Sequence, residues 1–257
     1  MPSPAPLQSS PSLSSSVRTA TSAWLAAGHR MTDSQSAIRA AIDLDQPRQG
    51  ITLVAQGESS AGSLLGLDLR SDYRLTDHWL RGDDVTAVYE TADDRADARH
   101  LRTTAMWRLH PSDGATRVWE LIASAQTSLL QSNSVLAVVS EIDATDILWG
   151  TCNDGAVQWH AAESPDATCV LMRRDGTDTS TGTSVLVAAH PGDARRLTVR
   201  RDGTRVVVEC WLFSTELEKG VLLRSRVLAA IGPAADASQW AGDLAAKFAA
   251  SPPMLTT

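Results

Sequence analysis

The stretch Arg196-Leu-Thr-Val-Arg-Arg-Asp-Gly-Thr-Arg-Val-Val-Val-Glu-Cys-Trp211 reads as a β-hairpin. Asp202-Gly203 sits between two alternating, β-branched runs, and a type I′ turn needs residues that tolerate positive φ at both of its central positions. A two-residue loop there sets Arg201 opposite Thr204, Val199 opposite Val206 and Leu197 opposite Val208. Leu197, Val199, Val206, Val208 and Cys210 then share one face. Arg196, Thr198, Arg200, Arg205, Val207, Glu209 and Trp211 share the other. One apolar and one polar face is the pattern of an antiparallel sheet with one side buried.

The same texture extends outward. Runs with strand character are Ile51–Gln56, Ser63–Leu69, Tyr73–Leu80, Asp84–Thr91, Leu101–His110, Thr116–Ala125 and Val135–Ile142. They continue with Ala156–His160, Thr168–Arg173, Ser184–Ala189, Leu197–Arg201, Arg205–Phe213 and Leu217–Ala230. Turn chemistry separates them at Arg81–Asp84, Pro111–Gly114, Asn153–Gly155, Asp175-Gly176 and Asp202-Gly203. Parallel pairs need long crossovers, so short spacing with little helix predicts an all-β fold, a large antiparallel two-sheet sandwich over residues 50–232. Residues 1–16, nearly all Ser, Pro, Ala, Leu and Gln, read as a disordered tail, and 17–257 as a single domain. Val17–Arg30 and Ser34–Leu44 read as short N-terminal helices. Ala234–Ala250 reads as one C-terminal helix entered at Pro233, with Trp240, Leu244 and Phe248 recurring four apart.

Two further registers bear on the site. Around Ser112-Asp-Gly114, a three-residue loop pairs Trp107 with Trp119, and a four-residue loop pairs Met106 with Trp119. The first puts Ala105, Trp107, Trp119 and Leu121 on one face; the sequence leaves the choice open. After Phe213, a turn at Thr215–Glu218 pairs Cys210 with Leu223 and Leu212 with Val221, keeping the apolar residues together. That register sets Glu209 beside Arg224 and gathers Arg196, Arg200, Arg205, Glu209, Trp211, Arg224 and Arg226 on one polar face.

Composition narrows the function classes. The chain has 257 residues, 43% of them hydrophobic, and a net charge of −7. An acidic chain is a poor match for nucleic-acid phosphates. No apolar stretch reaches the ~18 residues of a membrane span, and the N-terminus lacks the basic and apolar regions of a signal peptide. Cys152, Cys169 and Cys210 have neither CxxC nor metal-ligand spacing, so no metal site is expected and the thiols suit a reducing, cytoplasmic setting. No GxGxxG, Walker or GxSxG motif points to a cofactor or a nucleophile. Lys219 and Lys247 are the only lysines among 23 basic residues. Arginine offers bidentate contacts to carboxylates and phosphates, and base composition of the genome gives the same bias.

Two constellations carry chemistry. The polar hairpin face offers Trp211 to stack on a ring, Arg196, Arg224 and Arg226 to grip carboxylates or hydroxyls, and Glu209 to orient them. It reads equally as a solvated face with cross-strand ion pairs. Asp77, His78, Trp79, Arg81, Asp83 and Asp84 crowd into one short stretch. His78 there is a candidate acid or base tuned by Asp77 or Glu90, His110 is a second, and a polar strand end explains the stretch as well.

Trp211-Leu-Phe-Ser-Thr-Glu-Leu-Glu-Lys-Gly-Val-Leu-Leu-Arg-Ser-Arg226 and Asp77-His-Trp-Leu-Arg-Gly-Asp-Asp-Val-Thr-Ala-Val-Tyr-Glu90 resemble strand sequence of carbohydrate-associated β-sandwiches of the galactose-mutarotase-like type. The resemblance implies a two-sheet supersandwich with a sugar-facing concave sheet. The family's enzymes use a histidine pair and a carboxylate, and no residues here are matched to those roles. Three functions follow as expectations: recognition of a carbohydrate, including an acidic saccharide, on a sheet face; an enzyme of sugar-epimerase or polysaccharide-lyase type using His/Glu acid–base chemistry; or a structural or partner-binding domain whose tryptophans fill the core.

Overall fold

The computed structural model describes residues 22–33, 39–54, 62–91, 99–111, 114, 116–174 and 182–252. The expected N-terminal tail lies outside them. In chain order the strands begin β1 (Trp24–Ala27), β2 (Arg30–Asp33), β3 (Arg39–Asp43), β4 (Ile51–Val54), β5 (Gly62–Asp68), β6 (Tyr73–Arg81) and β7 (Asp84–Thr91). Then come β8 (Arg102–Leu109), β9 (Arg117–Gln126), β10 (Gln131–Asn133), β11 (Leu136–Asp143), β12 (Asp146–Asn153) and β13 (Ala156–His160). The last are β14 (Cys169–Arg174), β15 (Thr183–Ala189), β16 (Ala194–Asp202), β17 (Arg205–Leu212), β18 (Glu216–Glu218) and β19 (Leu223–Pro233), followed by helix α1 (Ala237–Ala249).

All pairings are antiparallel. One sheet runs β1-β2-β3-β4-β5-β11-β17-β16, a second runs β13-β12-β14-β15-β19-β9-β8-β7-β6, and β10 and β18 form a small flap. The two large sheets enclose the main core, where alternate residues of each strand interdigitate. Trp107 and Tyr89 are fully buried there, and both reach across the core. The Trp107 indole N–H donates to the Leu65 carbonyl at 2.9 Å, and the Tyr89 hydroxyl donates to the Leu44 carbonyl at 2.9 Å. These bonds satisfy the polar ends of large aromatic side chains that otherwise gain by burial. A second apolar layer lies on the far side of the nine-stranded sheet, where Leu171, Leu186, Leu228 and Ala230 meet Ala237, Ala241, Ala245 and Phe248 of α1.

The sandwich and the C-terminal helix agree with the sequence reading; the N-terminal helices do not. Within the described residues both segments are strands, β1 to β3. Their Ala-rich text tolerates a helix, but Met31, Ala40 and Ile42 are buried because the edge of the sheet recruits them. β12 has no counterpart among the strand runs read from the sequence. The Asn153–Gly155 turn needs a strand on both sides, and Asp154 (φ 49) and Gly155 (φ 78) supply the positive φ pair of a type I′ turn.

At Asp202-Gly203 only Gly203 has positive φ, and the tight turn centres on Gly203-Thr204. Val199 therefore pairs with Val208 and Leu197 with Cys210. The register moves by two residues, which leaves both faces as read. Neither of the two registers open for β8–β9 occurs: Trp107 meets Leu121 and Trp119 meets Leu109, and all four stay on the core face, as in the three-residue alternative.

The expected pairing of β17 with the last strand is wrong. β17 pairs with β16 and β11, whereas β19 pairs with β15 and β9 in the other sheet. Phe213 adopts φ 55 and ends β17, and buried Ser134 donates to the carbonyls of Phe213 and Thr215 across that kink. The chain then crosses between sheets through β18.

Candidate functional site

The outward face of the eight-stranded sheet carries a continuous polar row. β17 turns Arg205, Val207, Glu209 and Trp211 away from the core, because Val206, Val208, Cys210 and Leu212 face inward. Glu209, 8% exposed, accepts from Arg200 Nη2 at 2.8 Å and from Thr198 Oγ1 at 3.4 Å. The Trp211 indole N–H donates to Thr198 Oγ1 at 3.3 Å. Arg70 and Arg196 place their guanidinium carbons 5.0 and 5.1 Å from the Trp211 ring centre, within cation–π range. Three expected site residues, Trp211, Glu209 and Arg196, therefore lie together.

Farther along this face a groove of about 600 Å³ opens. Its lining includes Gln46, Gln49, Thr52, Ser63 and Tyr73, the charged residues Arg48, Arg200, Arg205 and Glu141, and the apolar Val139 and Val207. Arg205 pairs with Glu141, and Arg48 reaches Asp68 at 3.3 Å. A 3-10 turn, Pro47–Gln49, lays Arg48 and Gln49 over the sheet, and Gly66 makes that possible. A Cβ at Gly66 would lie 1.9 Å from the Arg48 carbonyl oxygen. This close approach of backbones is what Gly66 serves.

Other candidates are dispersed. Arg224 donates to Ser124 Oγ at 3.1 Å on the far face of the nine-stranded sheet. Arg226, 4% exposed, is buried beneath the end of α1, beside Asp193, Ser251 and the Phe248 ring. Neither reaches Trp211's sheet, so the expected shared face of Glu209 with Arg224 and Arg226 does not form. His78 pairs with Ala87 and so points between the sheets, where its ring meets that of His29 at 4.8 Å; His29 in turn contacts Asp45 at 3.0 Å. Glu90 projects from the opposite face of that sheet, between Arg74 (3.5 Å) and Arg102 (3.7 Å), and cannot tune His78. Glu90 instead lines a second groove of about 540 Å³ with His100, Arg102 and Lys219.

His110 does find a carboxylate. Its Nε2 lies 3.0 Å from Oε2 of Glu120, which is 5% exposed. Beside them Arg108 donates twice to Asp84, at 2.9 Å each. The hydrogen bond to Asp84 raises the Arg108 pKa against the opposing effect of burial. Among the described residues no His, Cys, Asp and Glu group is placed to hold a metal ion, and no helix is long and apolar enough to cross a membrane. Burial pushes the Cys169 and Cys210 thiols up to about 12, which keeps them protonated and unreactive at neutral pH.

No protein-family model matches the chain, and no curated protein matches it significantly. Solved structures do. An aldose 1-epimerase, so named provisionally, from Klebsiella pneumoniae subsp. pneumoniae MGH 78578 superposes with a TM-score of 0.51 at 9% identity, over 91% of this chain and 90% of that one. The chain shares the fold of that structure, a two-sheet antiparallel sandwich. A provisionally named mutarotase from Salmonella typhimurium gives 0.40 at 12% identity, over 79% and 89% of the two chains. An α-galactosidase from Geobacillus stearothermophilus gives 0.42 at 10%, over 82% of this chain and 40% of its own. At such identities the likeness is one of fold, and function has to be argued from the site.

Within this supersandwich, Glu209 offers a direct test of the polar row. Arg200 is 66% exposed and would return to water if its partner were lost, so the pair resembles a surface bridge more than a buried one. Glu209→Ala is expected to cost about 1 kcal/mol, and Glu209→Gln less, because an amide still accepts from Thr198. Urea denaturation of both variants measures this; a loss above about 3 kcal/mol for Ala would show a fully desolvated pair instead.

Proposed function

We propose that the outward face of the eight-stranded sheet recognises a saccharide, bound in the groove between the Pro47–Gln49 turn and β17. The groove itself carries the reading. Within its lining Arg205 pairs with Glu141, and its Arg48 and Arg200 pair with Asp68 and Glu209 beside it, so donors and acceptors stand together. Sugar hydroxyls both donate and accept, so they pair with such edges without leaving either partner unsatisfied. The amides of Gln46 and Gln49 add the same bifunctional chemistry. The fold shared with a structure named as an aldose 1-epimerase supports a sugar ligand by analogy of fold. Calorimetric titration with a panel of neutral and acidic mono- and oligosaccharides is expected to find binding, with Arg200→Ala weakening it about tenfold. No heat from any sugar at millimolar concentration overturns the proposal.

A second reading rests on the His110–Glu120 pair. A buried carboxylate hydrogen-bonded to a half-exposed imidazole can pass a proton between two oxygens of a substrate, which suits ring opening of an aldose. If so, the protein accelerates mutarotation followed by polarimetry, and Glu120→Gln lowers the rate by about 10²–10⁴-fold. An unaccelerated rate with the wild-type protein removes this reading and leaves recognition standing.

A further inference from the structure

We propose that the Trp211 end of the polar face is an oxyanion subsite, where Arg70, Arg99 and Arg196 take a sulfate or carboxylate group carried by the saccharide. The inference rests on the saccharide reading for the rest of the ligand, but its own evidence is separate.

The arginines converge from three parts of the chain. Arg196 comes from β16, Arg70 from the link between β5 and β6, and Arg99 from the residues just before β8. Arg70 and Arg196 stand against the Trp211 ring, whose orientation is fixed by the bond to Thr198. Arg99 donates to the carbonyl of Val135, next to the β11 residues that pair with Trp211 and Leu212. Its Nε is buried with no hydrogen-bond partner. Burial, with the positive charge of Arg70 adding to it, pulls the Arg99 guanidinium down to about 10, and Asp68 opposes this in part.

Charge is what distinguishes this end from the groove. In the groove Arg200 and Arg205 each have a carboxylate of their own, Glu209 and Glu141. At the Trp211 end Asp68 is shared by Arg48 at 3.3 Å and Arg70 at 3.5 Å and lies near Arg99, while Glu209, tied to Trp211 through Thr198, is taken by Arg200. Among the described residues no carboxylate pairs with Arg196, which lies against Trp211. Three guanidinium groups around one shared carboxylate leave positive charge that a bound anion would offset, and their planar donors match sulfate and carboxylate oxygens. Since Asp68 also binds Arg48 of the groove, one ligand can span both: hydroxyls in the groove, and the anionic substituent beside Trp211.

The test compares glucose, glucuronate and glucose 6-sulfate by calorimetry, with inorganic sulfate followed through the Trp211 indole N–H signal in NMR spectra. An acidic sugar is expected to bind at least tenfold more tightly than glucose in low salt. The preference should shrink as ionic strength rises, and Arg196→Gln should narrow it. The ranking of glucuronate against the sulfate ester identifies the preferred oxyanion. Equal affinity for all three sugars overturns the subsite while leaving the saccharide site intact. Binding of inorganic sulfate at Trp211 with no binding of any sugar keeps the subsite and overturns the saccharide reading. No movement of the Trp211 signal with any anion overturns the subsite outright.

Discussion

Arg226→Ala is expected to destabilise the protein by about 3 kcal/mol, lowering Tm by roughly 6–12 °C, without weakening saccharide binding. Arg226 is 4% exposed and holds the end of α1 on the nine-stranded sheet. Its Nη1 donates to Ser251 Oγ at 3.1 Å, and its guanidinium carbon lies 5.4 Å from the Phe248 ring centre. Asp193, whose carboxylate lies 3.7 Å from Arg226 Nε, also faces His190 at 3.7 Å. His190 is itself buried, packs edge-on against Phe248 at 5.5 Å and contacts the Ser251 carbonyl at 3.2 Å. Truncation would open a cavity, strand a largely buried carboxylate and release the last turn of the helix at once. Removing one partner of a buried pair costs more than the pair is worth, since the other charge stays behind. Thermal unfolding and saccharide titration of the same variant decide the matter. A near-normal Tm would mean that α1 is held by its apolar face alone, and a lost affinity would restore Arg226 to the binding surface.

The contrast between Arg226 and Trp211 shows which inferences the sequence supports. A strand's side chains alternate with period 2, so the hairpin text fixed the partition of Trp211, Glu209 and Arg196 from Val206, Val208 and Cys210. The turn sets the register: at Gly203-Thr204 it lies two residues from the expected pairing, and at β8–β9, where the sequence leaves two registers open, Trp107 pairs with Leu121. An even shift preserves faces, so the polar row survived the error. The β17–β19 pairing failed for another reason. β19 has its inner face in the main core and its outer face under α1, so its apolar run fits either sheet. Only the kink at Phe213, held by Ser134 from a distant segment, decides the crossing, and a φ of 55 at a phenylalanine has no local sequence signal.

Contacts made across the sandwich were equally illegible. His29 meets His78, and Arg99 meets the Trp211 end, through tertiary placement alone. The His110–Glu120 pair was nearer to view. His110 is a candidate from sequence alone and Glu120 lies in a strand run, but the partnership depends on a β8–β9 register that the sequence leaves open. Arg48 had no signal except the two glycines that let its turn approach the sheet.

Those glycines give the prediction that joins fold to site. Gly66→Ala is expected to destabilise by about 2–3 kcal/mol and to abolish saccharide binding. The Cβ would lie 1.9 Å from the Arg48 carbonyl oxygen and 2.7 Å from its carbon. Both atoms are backbone, so no rotamer change relieves the overlap. Opposite them Gly50 (φ 58) would place a Cβ 2.3 Å from the Leu64 carbonyl oxygen, so the turn and β5 are in backbone contact from both sides. The chain can respond only by lifting Pro47–Gln49 off the sheet, which takes Arg48 and Gln49 out of the groove and Arg48 away from Asp68. Urea denaturation reads the first effect and calorimetry the second. Ser63→Ala, on the same strand but without such an approach, separates them: it should lose a hydroxyl contact to the sugar while keeping stability within about 0.5 kcal/mol of the wild type. Should Gly66→Ala instead unfold like the wild type and bind sugar unchanged, the turn would not be what builds the groove, and the donors assigned to Arg48 and Gln49 would have to be sought elsewhere on the sheet.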